Sequence, residues 1–272
     1  MGEALPDIAG DVEVAKELAK AARTVALRHF RSDALQVGNK RATDGVFDPV
    51  TVADKEVEAV IRSILAEKRP LDGVLGEEHD NTVGSSGRTW VIDPIDGTRA
   101  FMCGLPTWGV LIALNDGSRP ILGVMDQPYT GERYIAVSTD HLLTSLCQRG
   151  EREVRLQVRR CSDLADAVLC STSPEAFEAS EDFERFSTLS KHVRLTRYGT
   201  DCYGYAMLAR GQIDLVVEAN LKPYDIQAMI PIVQAAGGFV TNWHGGDCQD
   251  GGQVIAAADA AIHTAALEIL SG

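Results

Sequence analysis

The chain has 272 residues, enough for one large domain or two closely joined halves with a sizeable core. A formal net charge of -13 argues against nucleic acid as the main partner, because a phosphate backbone needs a basic surface. The charge leaves room for a small anion held through a bound cation.

Residues 1–10 lack a basic stretch followed by an apolar run, so no secretory signal is expected. No run reaches about 18 apolar residues, so no membrane-spanning helix is expected. Six dispersed cysteines, none in a C-x-x-C pair, suit a reducing compartment; the cytoplasm is the expected location. Residues 11–30 predict a helix with Val14, Leu18, Ala21, Ala22, Val25 and Phe30 along one stripe. Residues 35–37 suit a short strand. The polar, glycine-bracketed segment 38–45 suits a surface hairpin or flap, where Lys40 and Arg41 can meet an anion or simply face solvent. A second helix is expected over 51–68, with Thr51 as N-cap and Val57, Val60, Ile61, Ile64 and Leu65 inward. Asp54 falls near N3, where the helix dipole alone would favour a carboxylate.

A strand-like piece at 71–75 runs into Gly76-Glu77-Glu78-His79. Trp90-Val91-Ile92 then reads as a buried strand that turns at Asp93-Pro94-Ile95-Asp96-Gly97-Thr98, with a helix starting near Arg99. Segments 107–115, 120–126 and 133–138 form an antiparallel meander with a hairpin signal at Asp116-Gly117. Residues 151–158 alternate as a further strand. Beyond 159, strands are expected at 167–171, 193–197, 213–218, 239–241 and 254–257. Helices are expected at 176–192, 202–209, 226–236 and 260–270. The class is α/β (α+β layered), with an α+β half over 1–145 and a layered α/β half over 146–272.

Glu77, Asp93, Asp96 and Asp225 share one local design: each sits where an apolar strand ends or a helix begins. Sites form at that edge of layered sheets. Without a competing set of His or Cys, carboxylates point to Mg²⁺ or Mn²⁺. Two such ions can clamp the attacking and leaving oxygens of a phosphoryl transfer. A nucleophilic Asp of the Asp-x-Asp type is rejected, because the spacing here is Asp93-x-x-Asp96 with Pro94 between.

Four segments together resemble the inositol-monophosphatase-like family of metal-dependent, lithium-sensitive phosphatases. They are Asp48-Pro49-Val50-Thr51-Val52-Ala53-Asp54, Gly76-Glu77-Glu78, Trp90-Val91-Ile92-Asp93-Pro94-Ile95-Asp96-Gly97-Thr98, and Tyr224-Asp225-Ile226-Gln227-Ala228 with Gly237-Gly238. The resemblance covers almost the whole chain in order. It implies a five-layer αβαβα sandwich, a homodimer, and two or three Mg²⁺ ions per site, Mn²⁺ being possible. It makes Glu77, Asp93, Asp96, Asp225 and the Ile95 carbonyl metal ligands, with Asp93 bridging. It makes Gly97 and Thr98 the phosphate cradle, Thr98 with Asp54 the pair that orients a metal-activated water for in-line attack, Glu78 their support, and Lys40 a flap residue. A catalytically dead ligand sensor is disfavoured, since every one of these acids is present.

The substrate is expected to be a small phosphorylated metabolite. Gly199-Thr200-Asp201-Cys202-Tyr203-Gly204-Tyr205 and Leu221-Lys222-Pro223-Tyr224-Asp225 resemble the histidinol-phosphate phosphatase branch, which implies a step of histidine biosynthesis. Asp201 and Glu218 can pair with the ammonium or imidazole of such a substrate; Asp201 also reads as an ordinary N-cap. The alternative is an inositol-1-monophosphatase or a broad sugar and metabolite monophosphatase. A 3′-phosphoadenosine phosphatase fits less well, as no nucleotide-binding insertion is evident. His79 and His244 read as surface and turn residues.

Overall fold

A computed structural model describes residues 7–33, 35, 37–39 and 49–272. Lys40 and the rest of 40–48 lie outside the described residues. Helix α1 (Ile8–His29) starts where the Asp7 side chain accepts the Gly10 N–H. Its stripe of Val14, Ala15, Leu18, Ala19, Ala22 and Val25 is buried, and the alanines allow close approach to α2 (Val52–Lys68). Short strands β1 (Val37–Asn39) and β2 (Pro49–Thr51) pair antiparallel ahead of α2. Thr51 caps α2 as expected, and Asp54 at N3 returns the bond to the Thr51 N–H, completing a capping box.

Seven strands form the larger sheet, in sequence order: β3 (Gly73–Gly76), β4 (Thr89–Asp96), β5 (Gly109–Asn115), β6 (Pro120–Gln127), β7 (Glu132–Ser138), β8 (Leu143–Arg149) and β9 (Arg152–Arg155). Only β3 and β4 run parallel; the rest alternate. Helix α3 (Thr98–Met102) leaves the end of β4.

The second sheet has the order β11-β10-β12-β14-β13. Its strands are β10 (Val168–Ser171), β11 (Leu195–Tyr198), β12 (Leu215–Leu221), β13 (Phe239–Asn242) and β14 (Gly252–Ala257). Around it lie α4 (Ser180–Ser190), α5 (Asp201–Ala209), α6 (Pro223–Ile226), α7 (Met229–Ala235) and α8 (Ala260–Leu270).

Alternation along the strands builds the layers. On β4, Trp90 and Ile92 join the core under α1 and α2, while Val91 faces the other way, into a core shared with α5, α7 and the second sheet. On β12, Val216 faces that middle core, and Leu215 and Val217 face a third one with Phe186 of α4 and Ile262 and Ala266 of α8. The result is the expected five layers, αβαβα.

Strand β8 was not expected. Its inward positions include Ser145 and Cys147, too small and too polar to read as an alternating apolar strand. Ser145 satisfies its hydroxyl on the Ile232 carbonyl of α7. The alternating run expected over 151–158 contracts to β9, and the large sheet continues to Arg155.

The helix expected over 226–236 is two helices. Pro231 has no N–H to give the carbonyl of residue 227, so the hydrogen-bond ladder is interrupted at 227–228 although the backbone there keeps helical dihedrals. The first piece begins earlier than expected, because Pro223 takes the first helical position and Asp225 accepts the Lys222 N–H. The helix expected from 176 starts instead at Ser180. Phe177 leaves helical geometry to stack on Phe186 with ring centroids 4.6 Å apart.

Candidate active site

The site lies at the end of β4. Residues three apart on a regular strand point to opposite faces. Here Asp93 pairs with Leu111 but Asp96 pairs with Gly109, so three steps on β4 match two on β5. This bulge, at Pro94-Ile95, sends Ile95 into the α1–α2 core and returns Asp96 to the face that Asp93 occupies. The expected turn at Pro94 is therefore a bulge within a longer strand.

Asp225, third residue of α6, meets this pair from the middle layer. Asp93, Asp96 and Asp225 offer carboxylate oxygens all within 4.8 Å of one another. Gln227 helps hold α6 in place, accepting from the Asn115 side chain at 3.0 Å and donating to the Gln249 carbonyl. Asp93 is buried; burial, and then the charges of Glu77, Asp96, Asp225 and Asp54, push its pKa well above the usual carboxylate range. Burial and the neighbouring Asp225 and Asp201 do the same to Asp96, against the Cys202 N–H that donates to its Oδ2 at 2.7 Å. Protonation or a cation must relieve such crowding. Hard oxygen donors with no His or Cys among them fit Mg²⁺ or Mn²⁺.

The turn after β4 needs its glycine. Gly97 has φ +83°, and a Cβ there would stand 2.9 Å from Cγ of Asp201. Thr98 follows as the first residue of α3, its hydroxyl within 3.3 Å of Asp54 Oδ1 and 3.2 Å of the Ile95 carbonyl. The other Asp54 oxygen accepts the Thr51 N–H and hydroxyl. Asp54 thus serves both the helix cap and the site. The Ile95 N–H donates to Asp93 Oδ1 at 3.0 Å, fixing that carboxylate.

Asp201 is the first residue of α5, and Thr200 precedes it as N-cap, so the ordinary capping explanation of Asp201 falls. Its backbone is left-handed, φ +44°, and its carboxylate accepts from the Thr107 hydroxyl at 2.9 Å. Glu218 sits at the bulge of β12 and is 2% exposed. It accepts the Thr172 N–H at 2.7 Å and the Thr172 hydroxyl at 3.0 Å. Burial first, then Asp201 and Asp96, lift its pKa to about 8.

Glu58 was missed in the sequence. It follows Asp54 by one helical turn, is fully buried, and accepts the Glu78 N–H at 2.7 Å. The available signal was a carboxylate beside the apolar stripe of Val57, Ile61 and Leu65. Thr107, Thr172 and Tyr205 were also missed; the phenol oxygen of Tyr205 is buried without a hydrogen-bond partner.

This fold and site define a class. The sequence matches the inositol monophosphatase family over residues 9–271, and the chain belongs to that family of phosphatases. It is 40% identical over 234 residues to the bifunctional phosphatase IMPL2, chloroplastic, of Arabidopsis thaliana, covering 82% of this chain and 65% of the plant protein. The chain thus spans a little under two thirds of that relative's length. It is 36% identical over 245 residues to the histidinol-phosphatase of Streptomyces coelicolor, covering 89% of this chain and 90% of that one. The solved structure of an inositol monophosphatase from Zymomonas mobilis superposes with a TM-score of 0.84 at 35% identity, over 98% of this chain and all of that one.

Proposed function

We propose that the protein hydrolyses L-histidinol phosphate to L-histidinol and phosphate, using Mg²⁺ held by Glu77, Asp93, Asp96, Asp225 and the Ile95 carbonyl. The observation that carries this reading is a pair of buried acids, Asp201 and Glu218, beside the Asp93–Asp96–Asp225 centre: on top of burial and Asp225, Asp201 raises the pKa of Asp96, and on top of burial, Asp201 and Asp96 in turn raise that of Glu218. A substrate bearing an ammonium and an imidazole would favour the ionised form of both acids through charge-assisted hydrogen bonds, where an inositol ring offers only neutral hydroxyl donors. The 35–36% identity to three bacterial histidinol-phosphatases supports it.

The ions supply charge neutralisation at the phosphoryl group and acidify water. The chain's part is positional. The N–H groups of Gly97 and Thr98 face the phosphate, and the Thr98 hydroxyl with Asp54 holds the water and takes up its proton. Glu78 supports this arrangement, and Lys40 meets the anion from its segment. Water attacks phosphorus as the ester bond breaks opposite it; the departing alkoxide takes a proton from solvent water and leaves as the alcohol, and Asp54 returns the proton it took to solvent. No protein–phosphate bond forms. A homodimer in the cytoplasm completes the reading; six free thiols accord with a reducing compartment.

A second reading, hydrolysis of inositol 1-phosphate or a range of sugar phosphates, is favoured by the likeness to the Zymomonas enzyme. The test is phosphate release with Mg²⁺ from each ester, compared by kcat/KM. A ratio of about 100 or more for histidinol phosphate, roughly 2.7 kcal/mol of discrimination, supports the first reading. Equal values or preference for the inositol ester replace it with the second.

A further inference from the structure

Glu58 is a fully buried carboxylate that the chemistry above does not use. Its two oxygens are divided between two elements. Oε2 accepts the Glu78 N–H at 2.7 Å; Oε1 accepts Nε of Arg62 at 2.7 Å and lies 3.4 Å from Nδ1 of His79. Arg62, one turn further along α2, reaches on to the His79 carbonyl at 3.2 Å. Gly76 packs directly on the same carboxylate: a Cβ there would lie 2.2 Å from Oε1 and 2.5 Å from Cδ. The turn 76–79 is therefore clamped from below by one acid, with Glu77 at its centre.

From this geometry we infer that Glu58 is a positioning residue, which sets the backbone of the 76–79 turn and so the place of the Glu77 carboxylate in the cation site. The inference rests on the reading of Glu77 as a metal ligand. A buried acid next to an acidic site is a cost to the fold unless it is paired and hydrogen-bonded. Glu58 has an arginine and a backbone donor, and that donor is the N–H of Glu78, the residue next to Glu77. Its spacing from Asp54 is one helical turn, so a single helix supports two parts of the site: Thr98 through Asp54 and Glu77 through Glu58. Partners that orient ligands in this way change metal affinity by about 10–100-fold when removed.

The experiment is Mg²⁺ titration of the full-length protein by isothermal calorimetry, with thermal melts in EDTA alongside. The variants are Glu58→Gln, Gly76→Ala and, as control, Glu77→Gln. Glu58→Gln keeps the shape but turns one acceptor into a donor facing either the Glu78 N–H or Arg62. Gly76→Ala keeps the acid and displaces it from the other side, so it carries the test if Glu58→Gln does not fold. The expected result is Mg²⁺ affinity weakened about tenfold or more in both. In the kinetics, the Mg²⁺ concentration for half-maximal rate rises while KM for the phosphate ester at saturating Mg²⁺ moves little. Affinity within twofold of the unmodified protein, with Glu77→Gln impaired, overturns the role of Glu58 and leaves Glu77 as ligand. Unchanged affinity in Glu77→Gln overturns the ligand reading and this inference with it.

Discussion

Glu218 carries a pH-dependent term that can be worked out from the structure. Its carboxyl is 2% exposed, and its pKa is raised from 4.5 to about 8, with burial the main cause. In the unfolded chain it titrates near its ordinary value. The folded state therefore binds the proton more tightly. The stabilisation this gives is fully present below pH 4.5 and is lost progressively as pH rises to about 8. Linkage at about 1.4 kcal/mol per pH unit puts the loss between pH 5.5 and 8.5 at roughly 3 kcal/mol. Glu218→Gln removes the titration while retaining one oxygen that can accept both Thr172 donors, which meet the same oxygen of the acid. Urea unfolding in EDTA, for both proteins at pH 5.5 and 8.5, should show the variant gaining about 3 kcal/mol on the parent over that interval. A difference between the two proteins that is the same at both pH values, within about 0.5 kcal/mol, refutes the reasoning.

Asp93→Asn removes a buried charge from a crowded acidic site. Activity should fall by about 10³-fold or more, while the melting temperature in EDTA rises, a stability–function exchange read by phosphate release and calorimetry on the same samples. Thr98→Ala removes the hydroxyl between Asp54 and the Ile95 carbonyl; kcat should drop about 10²-fold with KM changing less. Gly97→Ala places a methyl against Asp201 at a left-handed backbone position. It should cost about 1–2 kcal/mol in urea unfolding and lower activity through the displaced cradle. Added Mg²⁺ should raise the melting temperature of the unmodified protein and do so much less for Asp93→Asn.

Much of this protein was legible in its order of residues. Thr51 and Asp54 cap their helix through contacts three residues apart, and the meander from β5 to β7 follows from alternation and an Asp-Gly turn. The acids at Glu77, Asp93, Asp96 and Asp225 could be marked because strand ends and helix starts are local features. What the sequence could not state was which face each acid takes. Asp93 and Asp96 share a face only because an extra residue is accommodated in β4 against β5, a property of pairing between strands. Ser145 and Cys147 form a strand because both neighbours supply its ladder and α7 takes up its hydroxyl, not because of any apolar pattern of their own. Glu58 looked like an ordinary helix acid beside an apolar stripe. Its meaning depends on a turn some twenty residues away folding back over α2, a contact that exists only once β3 has docked. Local chemistry determined the candidates, and the burial and pairing that only the tertiary structure supplies decided how they meet.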